Sequence, residues 1–100
     1  MLGSNFTKES ILSFLRENKS FFKKQFDVDN IILFGSYARD EATGESDVDI
    51  LIESDSKSFD KQYRIKVFLE SRLKRKVDVA YIDAVRPFVM RFIKEELIYA

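Results

Sequence analysis

A run of four apolar residues, Ile31-Ile32-Leu33-Phe34, constrains the fold of this chain more than any other segment. Such an unbroken run of β-branched and aromatic residues is typical of a strand that is covered on both faces, because an exposed face would carry polar residues at alternate positions. Gly35 ends the run. The sequence therefore predicts a central strand here, in a sheet that other elements cover.

The length of the chain limits it to one hydrophobic core. Its 100 residues include 45% hydrophobic and 34% charged side chains, with three Gly and one Pro, a composition unlike that of disordered or collagen-like chains. We therefore expect a single domain over residues 1–100. The apolar runs are too short to cross a membrane, and no basic segment precedes an apolar one at the start. We expect a cytoplasmic protein with neither a membrane span nor a signal peptide.

Apolar residues spaced three or four positions apart predict helices on both sides of this strand. Thr7 is suited to cap a first helix, which fades between Asn18 and Ser20 and precedes a short helical turn rich in Phe. A long helix is predicted over residues 58–73, and a final helix begins at Pro87. The predicted apolar faces of the last two helices are, in order, Phe59, Tyr63, Val67 and Phe68, and Val89, Phe92, Ile93 and Leu97.

Two further strands are predicted, over residues 47–52 and 77–81, because both segments are short and rich in apolar β-branched residues. The polar segment 36–46, which contains Gly44, predicts a helical turn followed by a loop. The elements then run helix, strand, strand, helix, strand, helix. This order predicts an α/β fold in which helices cover a small sheet.

The side chains that the sequence lacks limit its chemistry. Without Cys or His, the chain has no disulfide, no thiolate nucleophile, no imidazole base and no Cys/His zinc site. Basic and acidic side chains number 17 each, which gives no support to general nucleic-acid binding. The basic run 72–76 is typical of a solvated helix end. Contact of that run, of Lys61 or of Arg64 with a nucleotide or a partner stays open.

The segment after the buried strand is suited to bind phosphate. Gly35 permits a sharp turn and lets a ligand approach the backbone closely. Ser36 would begin a helical turn whose free N–H groups, with its hydroxyl, attract an anion. Arg39 lies one turn further on, and its guanidinium suits either phosphate oxygens or a neighbouring carboxylate.

Three Asp residues on the predicted strands are suited to hold a divalent cation. Asp47 and Asp49 lie two apart, so both side chains leave the same face of their strand. Asp78 lies between Val77 and Val79 on an interior strand, where an isolated carboxylate is unfavourable and is expected to point into the same site. Oxygen ligands favour Mg²⁺ or Mn²⁺, and three carboxylates would hold two such ions. Asp78 is then the candidate general base.

Two motifs carry a resemblance to a known superfamily. Gly35-Ser36-Tyr37-Ala38-Arg39, followed after six residues by Ser46-Asp47-Val48-Asp49-Ile50, resembles the signature of the DNA polymerase beta-like nucleotidyltransferases. The short chain is similar to the minimal nucleotidyltransferases (MNT) of that superfamily, the antitoxins encoded beside HEPN toxins. The resemblance implies an α+β fold with a small mixed sheet flanked by helices, bound Mg²⁺, and ATP as the substrate.

The resemblance also implies a role for each matching residue. Phosphate binding would fall to Gly35, Ser36 and Arg39, and metal binding with catalysis to Asp47, Asp49 and Asp78. Asp40 stands where the family commonly has Gly. This departure is expected to alter the loop and to add negative charge near the phosphates.

The activity that the resemblance implies is the transfer of AMP from ATP to a tyrosine of a HEPN toxin, which silences an RNase. The partner toxin would bring the acceptor, in a hetero-oligomer or with a second copy of this chain present. Two other functions stay open. One is a binding module that neutralises its partner by covering it, for which some of the ten Phe would face the partner instead of the core. The other is a small-molecule nucleotidyltransferase that works as a dimer.

Overall fold

The computed structural model describes residues 6–100 of the chain. The expectation that the chain has no signal segment at its start also concerns residues 1–5, which lie outside the described residues. The helices and strands of the described part are α1 (Lys8–Glu17), α2 (Lys19–Phe26), β1 (Asn30–Phe34), β2 (Val48–Glu53), α3 (Phe59–Leu73), β3 (Val77–Tyr81), α4 (Pro87–Ile93) and β4 (Ile98–Tyr99). Short 3-10 turns, Ile82–Ala84 and Lys94–Glu96, lie before and after α4. No helix among residues 6–100 has the length and apolar character to span a bilayer.

The strands form one mixed sheet in the order β3-β2-β1-β4. β1 is central and antiparallel to both β2 and β4, whereas β2 and β3 are parallel and are joined through α3. The register sets Leu33 opposite Ile50 and Asp49 opposite Asp78. The predictions of a central strand after Asn30 and of a small mixed sheet flanked by helices are therefore confirmed.

Helices α1, α2 and α3 share a hydrophobic core with alternate residues of the strands. The helical side chains of that core include Ile11, Phe22 and Leu69, and the strand side chains include Leu33 and Ile50. All five are at most 1% exposed.

The predicted cap of α1 at Thr7 is also confirmed. The hydroxyl of Thr7 accepts a hydrogen bond from the backbone N–H of Ser10 in the first turn of the helix.

The prediction of the apolar face of α3 is wrong for three of its four residues. Phe59 and Tyr63 are 89% and 64% exposed, and Val67 is also exposed. Only Phe68 packs inward, with its ring stacked 4.9 Å from that of Phe21. The buried row consists of Ile65, Leu69 and Leu73. Both rows have the four-residue spacing of a helix face, so the spacing cannot choose between them, and the packing of α3 on β3 selects the aliphatic row.

The prediction of the final helix is wrong in its extent and its burial. α4 ends at Ile93, so Leu97 lies beyond it, and none of its seven residues is buried. Phe92 is 72% exposed and contacts the ring of Phe88 at 5.1 Å. The chain then forms β4, a strand the sequence did not predict, because two residues are too few for an alternating pattern.

Candidate active site

The predicted site residues meet at one end of the sheet. β1 ends at Phe34, which lies opposite Asp49 near the start of β2, and Asp49 lies opposite Asp78 near the start of β3. Directly opposed residues point to the same face of a sheet, so the two carboxylates emerge side by side from strands about 4.8 Å apart. Asp47 was predicted to begin the second strand, but it lies just before β2, and its side chain is exposed. The structure thus brings the third carboxylate beside the pair.

The turn after β1 is built around Gly35. Its φ of +81° is the left-handed conformation that glycine adopts most easily. A Cβ at Gly35 would also overlap with the Oδ2 atom of Asp49, so the backbone of the turn lies directly against that carboxylate. The N–H of Arg39 donates to the Gly35 carbonyl at 3.1 Å, and the N–H of Glu41 donates to the Ser36 carbonyl at 2.9 Å. The predicted helical turn is therefore present.

Three successive backbone amides at the start of this turn are available to a ligand. Among residues 6–100, the N–H groups of Ser36, Tyr37 and Ala38 have no backbone acceptor. Tyr37 and Ala38 are buried residues, and the backbone N–H groups of such residues usually have a partner in proteins. Amides aligned in this way at the start of a turn are typical of a site that binds an anion.

The electrostatic environment of Asp49 favours a cation. The pKa of Asp49 is raised to about 6, chiefly by burial and then by the neighbouring carboxylates of Asp78 and Asp47, while the guanidinium of Arg39 opposes the shift. A divalent ion with oxygen ligands would relieve both the burial and the repulsion. Within the described part, however, no group of three or more acidic side chains is arranged to hold one ion. The carboxylates fit such an ion by their chemistry, and a metal site formed by Asp47, Asp49 and Asp78 stays a prediction.

Glu96 is a site residue that sequence reasoning missed. It lies in the 3-10 turn between α4 and β4, and its Oε2 accepts a hydrogen bond of 2.7 Å from the N–H of Gly35. Its Oε1 accepts a second bond of 3.0 Å from Nη1 of Arg39, whose Nε donates to Glu41. Arg39 thus contacts carboxylates, one of the two partners expected for it. Glu96 carries no motif, and only the pairing of β4 with β1 brings it to the site.

Asp40 does not place its charge in the turn. Its φ of +59° is left-handed, which is the reason a glycine suits this position. Its carboxylate receives a hydrogen bond of 2.9 Å from Nζ of Lys8 at the start of α1. The negative charge that Asp40 was expected to add near the phosphates is therefore offset by a cation from the first helix.

A groove lies beyond Asp78, between the free edge of β3 and α3. The cavity measures about 280 Å³, and its lining includes Phe34, Phe59, Tyr63, Lys66, Asp78 and Ala80; we call this the edge groove. The side chain of Gln62 closes part of the strand edge by donating to the carbonyl of Val79 at 2.6 Å. The edge groove is thus an aromatic surface that begins at a site carboxylate.

The basic residues left open by the sequence have structural partners. Lys61 donates to the hydroxyls of Ser54 and Ser56, and Arg64 pairs with Asp60 one turn away on α3. The guanidinium of Arg72 lies 4.9 Å from the ring centre of Phe68, and that of Arg75 lies 4.5 Å from the ring centre of Phe6. The basic run therefore forms the end of α3, as its simpler interpretation predicts.

Comparison with known sequences identifies the family. The model of the nucleotidyltransferase domain family matches residues 14–100. The protein adenylyltransferase MntA of Thermococcus cleftensis is 33% identical over 94 residues, covering 93% of this chain and 95% of that protein. MJ1379 of Methanocaldococcus jannaschii, to which protein adenylyltransferase activity has been ascribed, is 40% identical over 97 residues, covering 93% of this chain and 97% of that protein.

Solved structures share the fold. A structure described as a minimal nucleotidyltransferase aligns with a TM-score of 0.78 at 25% identity, over 95% of this chain and 97% of that one. A chain from the complex of tri-AMPylated Shewanella oneidensis HEPN toxin with MNT antitoxin aligns with a TM-score of 0.59 at 19% identity, over 92% of this chain and 66% of that one. Sequence and fold agree, and the chain belongs to the nucleotidyltransferase domain family, as a minimal nucleotidyltransferase related to the protein adenylyltransferases.

Proposed function

We propose that this chain transfers AMP from ATP to a tyrosine hydroxyl of a HEPN-type toxin, with which it forms a hetero-oligomer, and thereby acts as an antitoxin. The observation that carries the proposal is the pairing of Asp49 with Asp78 beside the turn at Gly35. The name of the Thermococcus relative and the AMP-modified toxin in the Shewanella complex support the same reaction.

The turn after β1 is the proposed binding site for the outer phosphates of ATP. The amides of Ser36, Tyr37 and Ala38, with the Ser36 hydroxyl, would donate to phosphate oxygens. Asp49, whose carboxylate lies against this turn, would hold Mg²⁺ or Mn²⁺ together with Asp47, two positions before it. Such an ion, when bound, supplies positive charge that offsets the charge of the triphosphate.

Asp78 is the proposed general base. Its carboxylate would accept the proton of the acceptor hydroxyl while the hydroxyl oxygen forms a bond to the α-phosphorus. The bond from the α-phosphorus to the oxygen that bridges to the β-phosphate breaks, and pyrophosphate leaves with that electron pair. In the sheet, Asp49 on β2 lies between the phosphate-binding turn on β1 and Asp78 on β3. This order suits an in-line displacement, in which the acceptor arrives from the side opposite the leaving group.

The edge groove is the proposed docking surface for the acceptor tyrosine and its flanking segment. It begins at Asp78 and carries two exposed aromatic side chains, Phe59 and Tyr63. Exposed aromatic side chains are typical of protein–protein contact sites. An acceptor seated there would place its hydroxyl at the proposed base.

Labelling of the toxin tests the proposed reaction. The protein is incubated with Mg²⁺, ATP labelled on its α-phosphate and the HEPN-type product of the neighbouring gene. We expect label on the toxin, lost in Asp49→Asn and Asp78→Asn and retained in Asp55→Asn, a matched control on an exposed Asp beyond the other end of β2. Label that persists in both site variants, or no label with the unmodified protein, contradicts the proposal.

A non-catalytic binding module is the second candidate function. The observation that favours it is the exposure of Phe88 and Phe92 on α4, a helix with no buried residue. Such a surface is suited to cover a partner. If the Asp49→Asn and Asp78→Asn variants still neutralise the toxin without labelling it, this second function replaces the first.

A further inference from the structure

Glu96 holds two of the three residues that the motif assigns to phosphate. Both its oxygens accept hydrogen bonds, from the N–H of Gly35 and from the guanidinium of Arg39. The remaining residue, Ser36, keeps its amide without a backbone acceptor among residues 6–100. An internal carboxylate thus takes the place that an anionic ligand would take at Arg39.

This contact is fixed by the sheet. The pairing of β4 with β1 sets Ile98 opposite Leu33, so the same register carried two residues further brings Glu96 opposite Gly35. The side chain of Glu96 is only 14% exposed, in contrast to the 43% exposure of the Arg39 side chain. The pair is therefore unlike ordinary surface ion pairs, in which both side chains remain in water.

The carboxylate of Glu96 adds to an already negative site. It lies close enough to Asp49 to raise the pKa of that carboxyl, together with Asp78 and Asp47. A half-buried carboxylate among others is unfavourable unless hydrogen-bond donors compensate it, and Gly35 and Arg39 are the donors that do so here. A polyphosphate carries more negative charge than one carboxylate and attracts the same guanidinium more strongly.

We propose that Glu96 is a specificity-determining residue that competes with the outer phosphates of the nucleotide for Arg39. In the nucleotide-free protein Glu96 holds the guanidinium, and a triphosphate releases it by exchange. A ligand with a single phosphate carries less charge than a triphosphate and displaces Glu96 less readily, so Glu96 favours triphosphates over smaller anions. This inference rests on the proposed nucleotide site.

The binding of inorganic tripolyphosphate with Mg²⁺, measured by calorimetry, tests the competition. Glu96→Gln keeps an oxygen that accepts the bond from Gly35 and removes the charge that holds Arg39. We expect it to bind tripolyphosphate on the order of tenfold more tightly, and to narrow the preference for tripolyphosphate over inorganic phosphate. Glu95→Gln is the matched control, since Glu95 is the adjacent exposed acid with the same charge. We expect the affinity of Glu95→Gln to stay within twofold of that of the unmodified protein.

A second measurement separates competition from support of the turn. Arg39→Gln is expected to weaken binding more in the Glu96→Gln background than in the unmodified protein, because only there is Nη1 of Arg39 already released from a carboxylate. The inference is overturned if Glu96→Gln binds tripolyphosphate no more tightly than the unmodified protein, or if Glu95→Gln gains as much affinity as Glu96→Gln. The proposed function stands in either case, provided that the unmodified protein binds tripolyphosphate and Asp49→Asn does not. Absence of binding by both the unmodified protein and Glu96→Gln overturns the proposed nucleotide site as well.

Discussion

Gly35 meets two structural requirements that together call for a glycine at this position. Its left-handed φ forms the turn after β1, and its missing side chain leaves room for the carboxylate of Asp49. The two requirements act together, because a side chain here would both strain the backbone and displace a proposed metal ligand. The glycine thus joins a feature of the fold to a feature of the site.

We expect Gly35→Ala to lower the free energy of unfolding by about 2 kcal/mol and to abolish tripolyphosphate binding. Urea unfolding and calorimetry measure the two effects. Gly44→Ala is the control, since an added Cβ at Gly44 has no neighbour within 4 Å. A stable Gly35→Ala protein that still binds tripolyphosphate would show that Asp49 does not depend on this contact.

The ionised carboxylate of Asp49, which the proposed cation binding requires, lowers the stability of the folded protein. Burial and neighbouring carboxylates raise its pKa from an ordinary 3.8 to about 6 in the folded protein. Between these values the folded state keeps a proton that the unfolded state has released, so stability falls as the pH rises, and above pH 6 the whole penalty applies. A residue kept at this cost is typical of a functional site.

Without divalent ions, Asp49→Asn should therefore be more stable than the unmodified protein at pH 7.5, by about 1 kcal/mol once its partial exposure is taken into account. The difference should shrink as the pH falls from 6 to 4. Urea unfolding at several pH values measures this, with Asp55→Asn as the matched change of an exposed Asp. Equal or lower stability of Asp49→Asn at pH 7.5 would show that the carboxylate is not disfavoured by its surroundings.

At the scale of elements, α3 shows that a sequence pattern can predict a helix without predicting which of its faces is buried. Its length follows from the sequence, whereas its buried face does not. The helix has apolar residues on two sides, one aliphatic and one largely aromatic. Only the strand it packs against decides between them. The short strand β4 was not predicted for a related reason, since two residues are too few to show the alternating pattern of a strand.

The two sides of α3 differ sharply in expected stability effects. Leu69→Ala removes a fully buried side chain and should cost about 3 kcal/mol, because it leaves a cavity in the core. Val67→Ala, two residues away and 44% exposed, should cost about 0.5 kcal/mol. Urea unfolding of both variants checks the assignment. Similar losses for the two would mean that the aromatic side also packs against the protein.

On the scale of the whole molecule, the sheet sets out the proposed chemistry in order. β1 carries the turn, β2 and β3 carry the paired carboxylates, and the edge groove follows beyond β3. In the proposed reaction, phosphate binding and acceptor binding therefore use different strands, and they should respond separately to substitution.

We expect the double variant Phe59→Ser, Tyr63→Ser to lower kcat/KM for toxin labelling about tenfold, since it removes apolar contact area from the edge groove. Its affinity for tripolyphosphate should not change. Val67→Ser, an exposed apolar residue of the same helix outside the groove lining, is the control. Unchanged labelling by the double variant would exclude the edge groove as the acceptor surface.

The sequence predicted those parts of the site that are close together along the chain. Gly35, Ser36 and the Asp47–Asp49 pair lie within one strand–turn–strand unit, and the pattern of Asp78 pointed to the same face. Glu96 accepts a hydrogen bond from the N–H of Gly35, which lies 61 residues earlier in the chain. Its place depends on a strand pairing that no local pattern encodes, so only the folded structure brings it to Arg39.

The distance along the chain between Gly35 and Glu96 has a consequence during protein synthesis. The ribosome makes residues 35–40 long before it makes the segment that holds Glu96, which lies 61 positions later. A growing polypeptide therefore passes through a stage in which Arg39 and its neighbour Glu41 have been translated and Glu96 has not. In that interval the guanidinium lacks the carboxylate that its Nη1 contacts in the finished molecule.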